Sequence, residues 1–517
     1  MSSLQTSNSQ TQPRQFGGAT SASRIPWRLI AGFAVSLAVG LLIIGILATI
    51  WRAADLFGNQ KTSTLDLFHL LRMSAYQAGL SVVLALATGG TIAVCLSRLR
   101  FEGQSFVLAL LSAGLVLPTV IVAFGLLAIW GRAGVINQAA EWFGLGKLPF
   151  SIFGLQGILA AHTVLNGAFA ARIFFDRLQA IPVPAQKLGR SLSLSEIQRF
   201  TILDWPALKA AAPGLSATIF LMCFTSFSVV LLLGGGPNNA TFEVAIYEAA
   251  RVDFDLHRAA ILAATQLGFC LLIIVPTAGL KSTSMMIGAP KQIFWPSRGS
   301  AKLAALFVLG TLTIAYASPI IATIYKGLDP DILAFVLKPK FINALLTSLF
   351  IASCSAILAT TLAMILALGR AELVYRNVQG KTAILLRTLL SAPVFSYLAM
   401  PAIVLGLGFF LLARFAQFDT TSIGMQVVIL ANALMTLPLA NATLGPPVEK
   451  IANKHGKLVR SLNLRPTERF ARIELPLLRR EIAYIFTLGF CFSFGDLSVI
   501  ALFGTGDFTT LPWLMYL

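Results

Sequence analysis

Residues 460–476 read "RSLNLRPTERFARIELP", a polar island in an otherwise apolar chain. Nine of its seventeen residues are Arg, Glu, Asn, Ser or Thr. A near copy, "RSLSLSEIQRFTILDWP", stands upstream at residues 190–206. One offset of 270 residues pairs Arg190 with Arg460, Ser191 with Ser461, Leu192 with Leu462, Leu194 with Leu464, Arg199 with Arg469, Phe200 with Phe470 and Pro206 with Pro476. A loop that needs only charge does not need an order. Order kept at one offset points to a duplicated chain in which this segment has a task. A bare relic of duplication is the competing reading.

The match runs on at the same offset. "FTSFSVVLLLG" at 224–234 lies over "FGDLSVIALFG" at 494–504, pairing Phe224 with Phe494, Val229 with Val499, Leu232 with Leu502 and Gly234 with Gly504. Earlier helices match less well and with a shifted offset, as in "LVLPTVIVAFG" against "YLAMPAIVLGLG".

Around these segments the chain is 56% hydrophobic and 12% charged, with a mean hydropathy of +0.80. Soluble proteins carry about 25% charged residues. Eleven apolar runs are long enough to satisfy their backbone as helices in lipid: 29–50, 75–96, 106–130, 152–171, 210–233, 259–280, 303–325, 345–368, 385–412, 423–444 and 482–503. The fold class is therefore all-α and polytopic, in two homologous halves.

A net charge of +18 would suggest nucleic acid in a soluble protein. With the N-terminus placed inside, however, the inside loops collect most of the 39 Lys and Arg residues. That removes the need for a nucleic-acid partner and sets both RSL segments on the cytoplasmic side, so the repeats are parallel. Residues 1–25 read as a disordered cytoplasmic tail. The first half is expected over 26–290 and the second over 291–517. All five cysteines fall in apolar runs, which indicates packing rather than a disulfide framework.

Both polar segments resemble the cytoplasmic EAA loop of ABC-transporter permeases, the fused two-half type of binding-protein-dependent importer. The endings Leu203-Asp204-Trp205-Pro206 and Ile473-Glu474-Leu475-Pro476 match that loop. Ser193 and Asn463 stand where the family has Gly, and Pro184-Ala185 and Ala452 keep only fragments of the E-A-A. "LDWPAL", "AHTVLNGAFAAR" at 161–172 and the C-terminal "FGDLSVIALFGTGDFTTLPWLMY" resemble the thiamine and thiamine pyrophosphate branch.

The resemblance implies twelve helices, so the second half is expected to lack its last one, the chain being either shortened or unusual at its end. It implies a bacterial inner-membrane location, two copies of an ATP-binding subunit inside and a substrate-binding protein outside. It implies no cofactor and no catalysis by this chain. It also assigns the loops to docking on the ATP-binding subunit. Leu194, Ile197 and Phe200 share one face of a short helix, as do Leu464, Thr467 and Phe470. Phe200 and Phe470 are expected as buried anchors, Arg199 and Arg469 as partners of acids on the ATP-binding subunit. Arg190 and Arg460 belong to the same docking set. Pro206 and Pro476 are expected to end the segment.

Within the spans Asp496 is the acid expected in lipid, a costly position that usually faces a cavity or partner. It fits a contact for a cationic substrate, with Ser226 as its counterpart; capping a helix break beside Gly495 is the plain alternative. Phe224 and Phe494 are candidates for stacking on a heterocycle, with Phe227 and Trp513 behind them. His162 and Asn432, also 270 apart, read as interhelical hydrogen bonders. Gly380-Lys381-Thr382 resembles the end of a phosphate loop, but Tyr375 holds the first glycine's place and no strand precedes, so it reads as a helix start. No metal-ligand spacing appears. An iron(III) or polyamine permease and an ion-coupled carrier remain the alternatives.

Overall fold

The structure is a computed structural model that describes residues 26–56, 64–114, 116–146, 149–277, 295–297, 299–328, 331–462, 464–504 and 508–517. The expected tail at 1–25 and the boundary between 290 and 291 lie outside these residues. Among the described residues there are helices and turns but no strand.

In chain order the first half runs α1 (Trp27–Leu56), α2 (Thr64–Arg98), α3 (Gln104–Ala113), α4 (Thr119–Trp130), α5 (Val135–Trp142), α6 (Leu155–Gln179), α7 (Val183–Ser191), α8 (Glu196–Arg199), α9 (Trp205–Phe224), α10 (Ser228–Leu233), α11 (Phe242–Tyr247) and α12 (Leu256–Thr277). The second runs α13 (Gly299–Gly327), α14 (Ile332–Val336), α15 (Pro339–Tyr375), α16 (Gly380–Ser396), α17 (Ala402–Phe415), α18 (Thr420–Ser461), α19 (Pro466–Arg469), α20 (Leu475–Phe494), α21 (Ser498–Phe503) and α22 (Leu511–Tyr516). α16 begins at Gly380, so the Gly-Lys-Thr run is a helix start.

Ten of the described helices are long and apolar enough to cross a membrane. The expected run 106–130 divides at Pro118 into α3 and α4, and 385–412 divides at Pro401 into α16 and α17. Proline lacks the N–H that a continuous helix requires, and Pro118 and Pro401 each stand at the N-cap of the second piece, whereas Pro393 is accommodated inside α16. The last expected run, 482–503, breaks at Gly495–Leu497 between α20 and α21.

Each half is built on one three-helix unit. α2 packs on α6 and α9, and α15 packs on α18 and α20. The outer helices are exchanged. α1 lies on α15, α16 and α17 of the second half, where Ser36 donates to the Leu389 carbonyl at 2.8 Å. α13 lies on α2 and α4 of the first half, where the Tyr316 hydroxyl meets Thr88 at 3.0 Å. Lipid gives helices no hydrophobic reason to associate, so such contacts depend on small residues and polar links.

Gly125 shows that dependence, since a Cβ there would overlap the Pro319 carbonyl of α13. Gly125→Ala is expected to push α13 off α4 and cost about 1–3 kcal/mol. The check is a lowered thermal unfolding midpoint of the purified protein in detergent.

Residues 234–258 fall between two of the expected apolar runs. The structure folds α11 inward: Glu243 is fully buried and accepts a hydrogen bond from Gln266 of α12 at 2.9 Å. Asp496 is therefore not the one acid at depth. A helix of six residues is too short to show a period in sequence.

Candidate functional site: coupling segments and central cavity

The two RSL segments fold alike. Each carries one turn of helix (α8, α19) followed by a five-residue π turn, Phe200–Asp204 and Phe470–Glu474, that runs straight into α9 or α20. Ser195 and Gln198 cap the first reciprocally, with the Ser195 N–H donating to Gln198 at 3.0 Å and the Gln198 N–H to Ser195 at 3.3 Å. In the second, Glu468 accepts from the Arg465 N–H at 2.9 Å. Ser193 has φ of 51°, the left-handed region that glycine enters without strain. That conformation gives a physical reason for the family's Gly at this position. Its counterpart Asn463 lies outside the described residues.

Pro206 and Pro476 do not end these segments. Each is the second residue of the following helix, and the wider π turn before it absorbs the missing N–H. α8 through α9 thus forms one rod of 29 residues, Glu196–Phe224.

Burial is the same at every described pair from 191/461 to 206/476 except one, Gln198 being exposed and Glu468 half-buried. Leu192 and Leu462 are exposed, as are Ile197 and Thr467. Leu188 and Leu458, one turn earlier, are exposed too. Arg190 is exposed, and the Arg460 side chain lies outside the described residues.

Arg199 and Arg469 correct the expectation of outward acid pairing. Both are buried within the chain. Arg199 donates to the Trp295 carbonyl at 2.6 Å and lies 4.8 Å from that indole ring. Arg469 pairs with Glu372 at 2.6 Å and Glu474 at 3.2 Å, over the Tyr375 ring at 3.8 Å. Burial of a guanidinium requires such partners. Phe200, Leu464 and Phe470 are half-buried and pack on the chain's own core, and Leu194 is half-buried against Gly189. They are inward packing residues rather than anchors turned toward a partner. The exposed apolar side chains of the two segments include Leu188, Leu192, Ile197, Leu458 and Leu462.

At the far ends of the rods lies a cavity of about 330 Å³. That is at the lower end of small-molecule sites, roughly 300–1,000 Å³. Its walls include six pairs at the repeat offset: His162/Asn432, Leu165/Met435, Asn166/Thr436, Met222/Phe492, Ser226/Asp496 and Ser228/Ser498. A wall made of repeat mates lies where the two halves meet. Pro118, at the α3/α4 break, closes it against Gly495, where a Cβ would come within 2.6 Å of the proline ring.

Asp496 lies at the break between α20 and α21. Its carboxylate accepts from the Ser498 N–H at 2.9 Å and the Val499 N–H at 3.3 Å. Asp496 thus caps α21 and also lines the cavity. No Lys or Arg lines the cavity among the described residues. Ser226 lines the same cavity. His162 and Asn432 make interhelical bonds, His162 to Ser81 at 3.0 Å and Asn432 to Ser493 at 2.9 Å.

The aromatic candidates are not in this wall. Phe224 is buried and packs with Phe220 and Phe242, and Phe494 stacks on Phe490. Phe227 packs on Tyr247, and Trp513 on Tyr516. Phe492 and Phe169 are the aromatic lining residues. Phe492 was within reach of sequence reasoning, since it is the offset mate of Met222 two residues from Phe494.

No protein-family model matches the chain. The thiamine transport system permease protein ThiP of Escherichia coli is 33% identical over 501 residues, spanning 95% of this chain and 91% of its own. The ThiP of Haemophilus influenzae is 35% identical over 451 residues, 87% of this chain and 82% of its own. An Fe(3+)-transport system permease protein, FbpB 2 of Haemophilus influenzae, is 23% identical over 496 residues. Likeness of this depth over nearly the whole length, on a two-half helical frame, places the chain in the family of thiamine transport system permease proteins.

Proposed function

We propose that the chain is the membrane-spanning permease subunit of an ATP-driven ABC importer for thiamine or thiamine pyrophosphate. The observation that carries this reading is the pairing of two like polar segments with one cavity on the line between the halves. The exposed leucines at 188, 192, 458 and 462 lie among charged residues, where apolar surface calls for a partner. Two segments call for two copies of an ATP-binding subunit, which hydrolyses the ATP. A substrate-binding protein delivers the solute from outside. The N-terminus lies in the cytoplasm, and the halves divide near residues 290 and 291. The acidic, partly aromatic cavity suits a cationic heterocycle.

The test is uptake of labelled thiamine into proteoliposomes holding the permease, its ATP-binding subunit and the binding protein. ATP-dependent uptake blocked by thiamine compounds, and not by iron(III) or polyamines, is the expected result. Uptake blocked by iron(III) or a polyamine instead would assign the substrate elsewhere.

A further inference from the structure

One arginine grips each coupling helix at both ends. In the first half Arg98, at the end of α2, reaches Glu196 at 3.0 Å and Asp204 at 2.6 Å. These are the first residue of α8 and the last of the π turn. The equivalent positions in the second half are Pro466 and Glu474. Both are held by Arg28, from the start of α1: it lies 3.0 and 3.2 Å from the Glu474 carboxylate oxygens and donates to the Pro466 carbonyl. The Arg28 and Glu474 side chains are 2% and 1% exposed.

The two grips differ in origin. Arg98 comes from the core of its own half. Arg28 comes from the exchanged helix, which touches α12 of the first half as well as α15, α16 and α17 of the second. The first segment has its own tie to an exchanged helix, through Arg199 and the Trp295 carbonyl just ahead of α13. Ser297 adds a backbone bond to the Arg98 carbonyl at 3.2 Å.

We infer that Arg28 is a positioning residue for transport: it makes α1 follow the second coupling helix. The inference rests on the coupling reading above. A desolvated ion pair cannot part without leaving a buried charge, so the grip stays closed as the coupling helix moves. Motion imposed by the ATP-binding subunit on α19 is then carried into α1 and on to α12, against which α1 packs. Thr467, at the exposed tip of α19, remains free for docking.

The test uses the assembled transporter in proteoliposomes. It compares wild type with Arg28→Met and with the pair Arg28→Met, Glu474→Gln, which removes both charges of that pair and leaves Arg469 its Glu372 partner. The readouts are co-purification of the ATP-binding subunit, thermal midpoint, and thiamine moved per ATP hydrolysed. The expected result is normal co-purification in the paired variant with at least a tenfold fall in thiamine per ATP. A paired variant that keeps its ratio within about twofold of wild type overturns the inference. So does one that loses the ATP-binding subunit, since the grip would then serve docking alone. A wild type that hydrolyses ATP but moves no thiamine overturns the proposed function first, and the inference with it.

Discussion

Asp496→Ser is expected to lower thiamine uptake at least tenfold while leaving the protein folded and assembled. Serine is what the other half carries at the equivalent position, Ser226. It also caps helices well, so α21 keeps an acceptor for its first N–H groups. What it removes is the negative charge of the cavity. A unit charge pair at about 4 Å is worth about 4 kcal/mol at an effective dielectric of 20, and each ~1.4 kcal/mol is tenfold in rate. A cation that retains some water collects only part of that, hence the tenfold floor. Asp496→Asn should fall alongside, and Ser226→Ala should stay within about twofold of wild type. Initial uptake rates in proteoliposomes check all three. Wild-type uptake by the serine variant would leave Asp496 as a cap alone.

The second large effect is expected at the docking surface. Leu192→Glu together with Leu462→Glu places charge on the exposed apolar residue of each coupling segment. An interface core does not take an unpaired carboxylate, so the ATP-binding subunit should no longer co-purify. The fold itself should hold, because both leucines already face water. Phe200→Ala and Phe470→Ala should behave in the opposite way. These rings are half-buried in the chain's own core, so their loss should cost about 1–3 kcal/mol each, less than the ~3–5 of a fully buried Phe. It should appear in the thermal midpoint before it appears in docking. Unchanged co-purification by the double glutamate variant would move the docking surface elsewhere.

The repeat, the spans and the class of transporter were legible because each rests on a pattern many residues long. The offset that joins Arg190 to Arg460 also pairs six sets of cavity residues, so that part of the wall follows from the repeat. Direction was not. Arg199 and Arg469 look like docking residues in sequence, since nothing there tells that Glu372, Glu474 and Trp295 lie close enough to turn them inward. Glu372 and Trp295 are distant along the chain, and Glu474, five residues past Arg469, faces it across the π turn. Phe224 and Phe494 failed for a related reason. A helix that breaks at Thr225 or Gly495 sends neighbouring side chains to different places, and a six-residue periodicity cannot register the break.

The unbroken rod from Glu196 to Phe224 explains where the duplication has been kept in step. A helix turns about 100° per residue. One residue gained or lost between the coupling end and the cavity end would swing Ser226 out of the wall, however little it changed the length. The second half has the same spacing from Pro466 to Phe494. Angular phase, more than distance, is therefore what the two copies share. It gives a reason why the offset of 270 holds from His162/Asn432 through Gly234/Gly504 but slips in the earlier helices. There α3 with α4, and α16 with α17, end at their own breaks and carry no rotation to a second site.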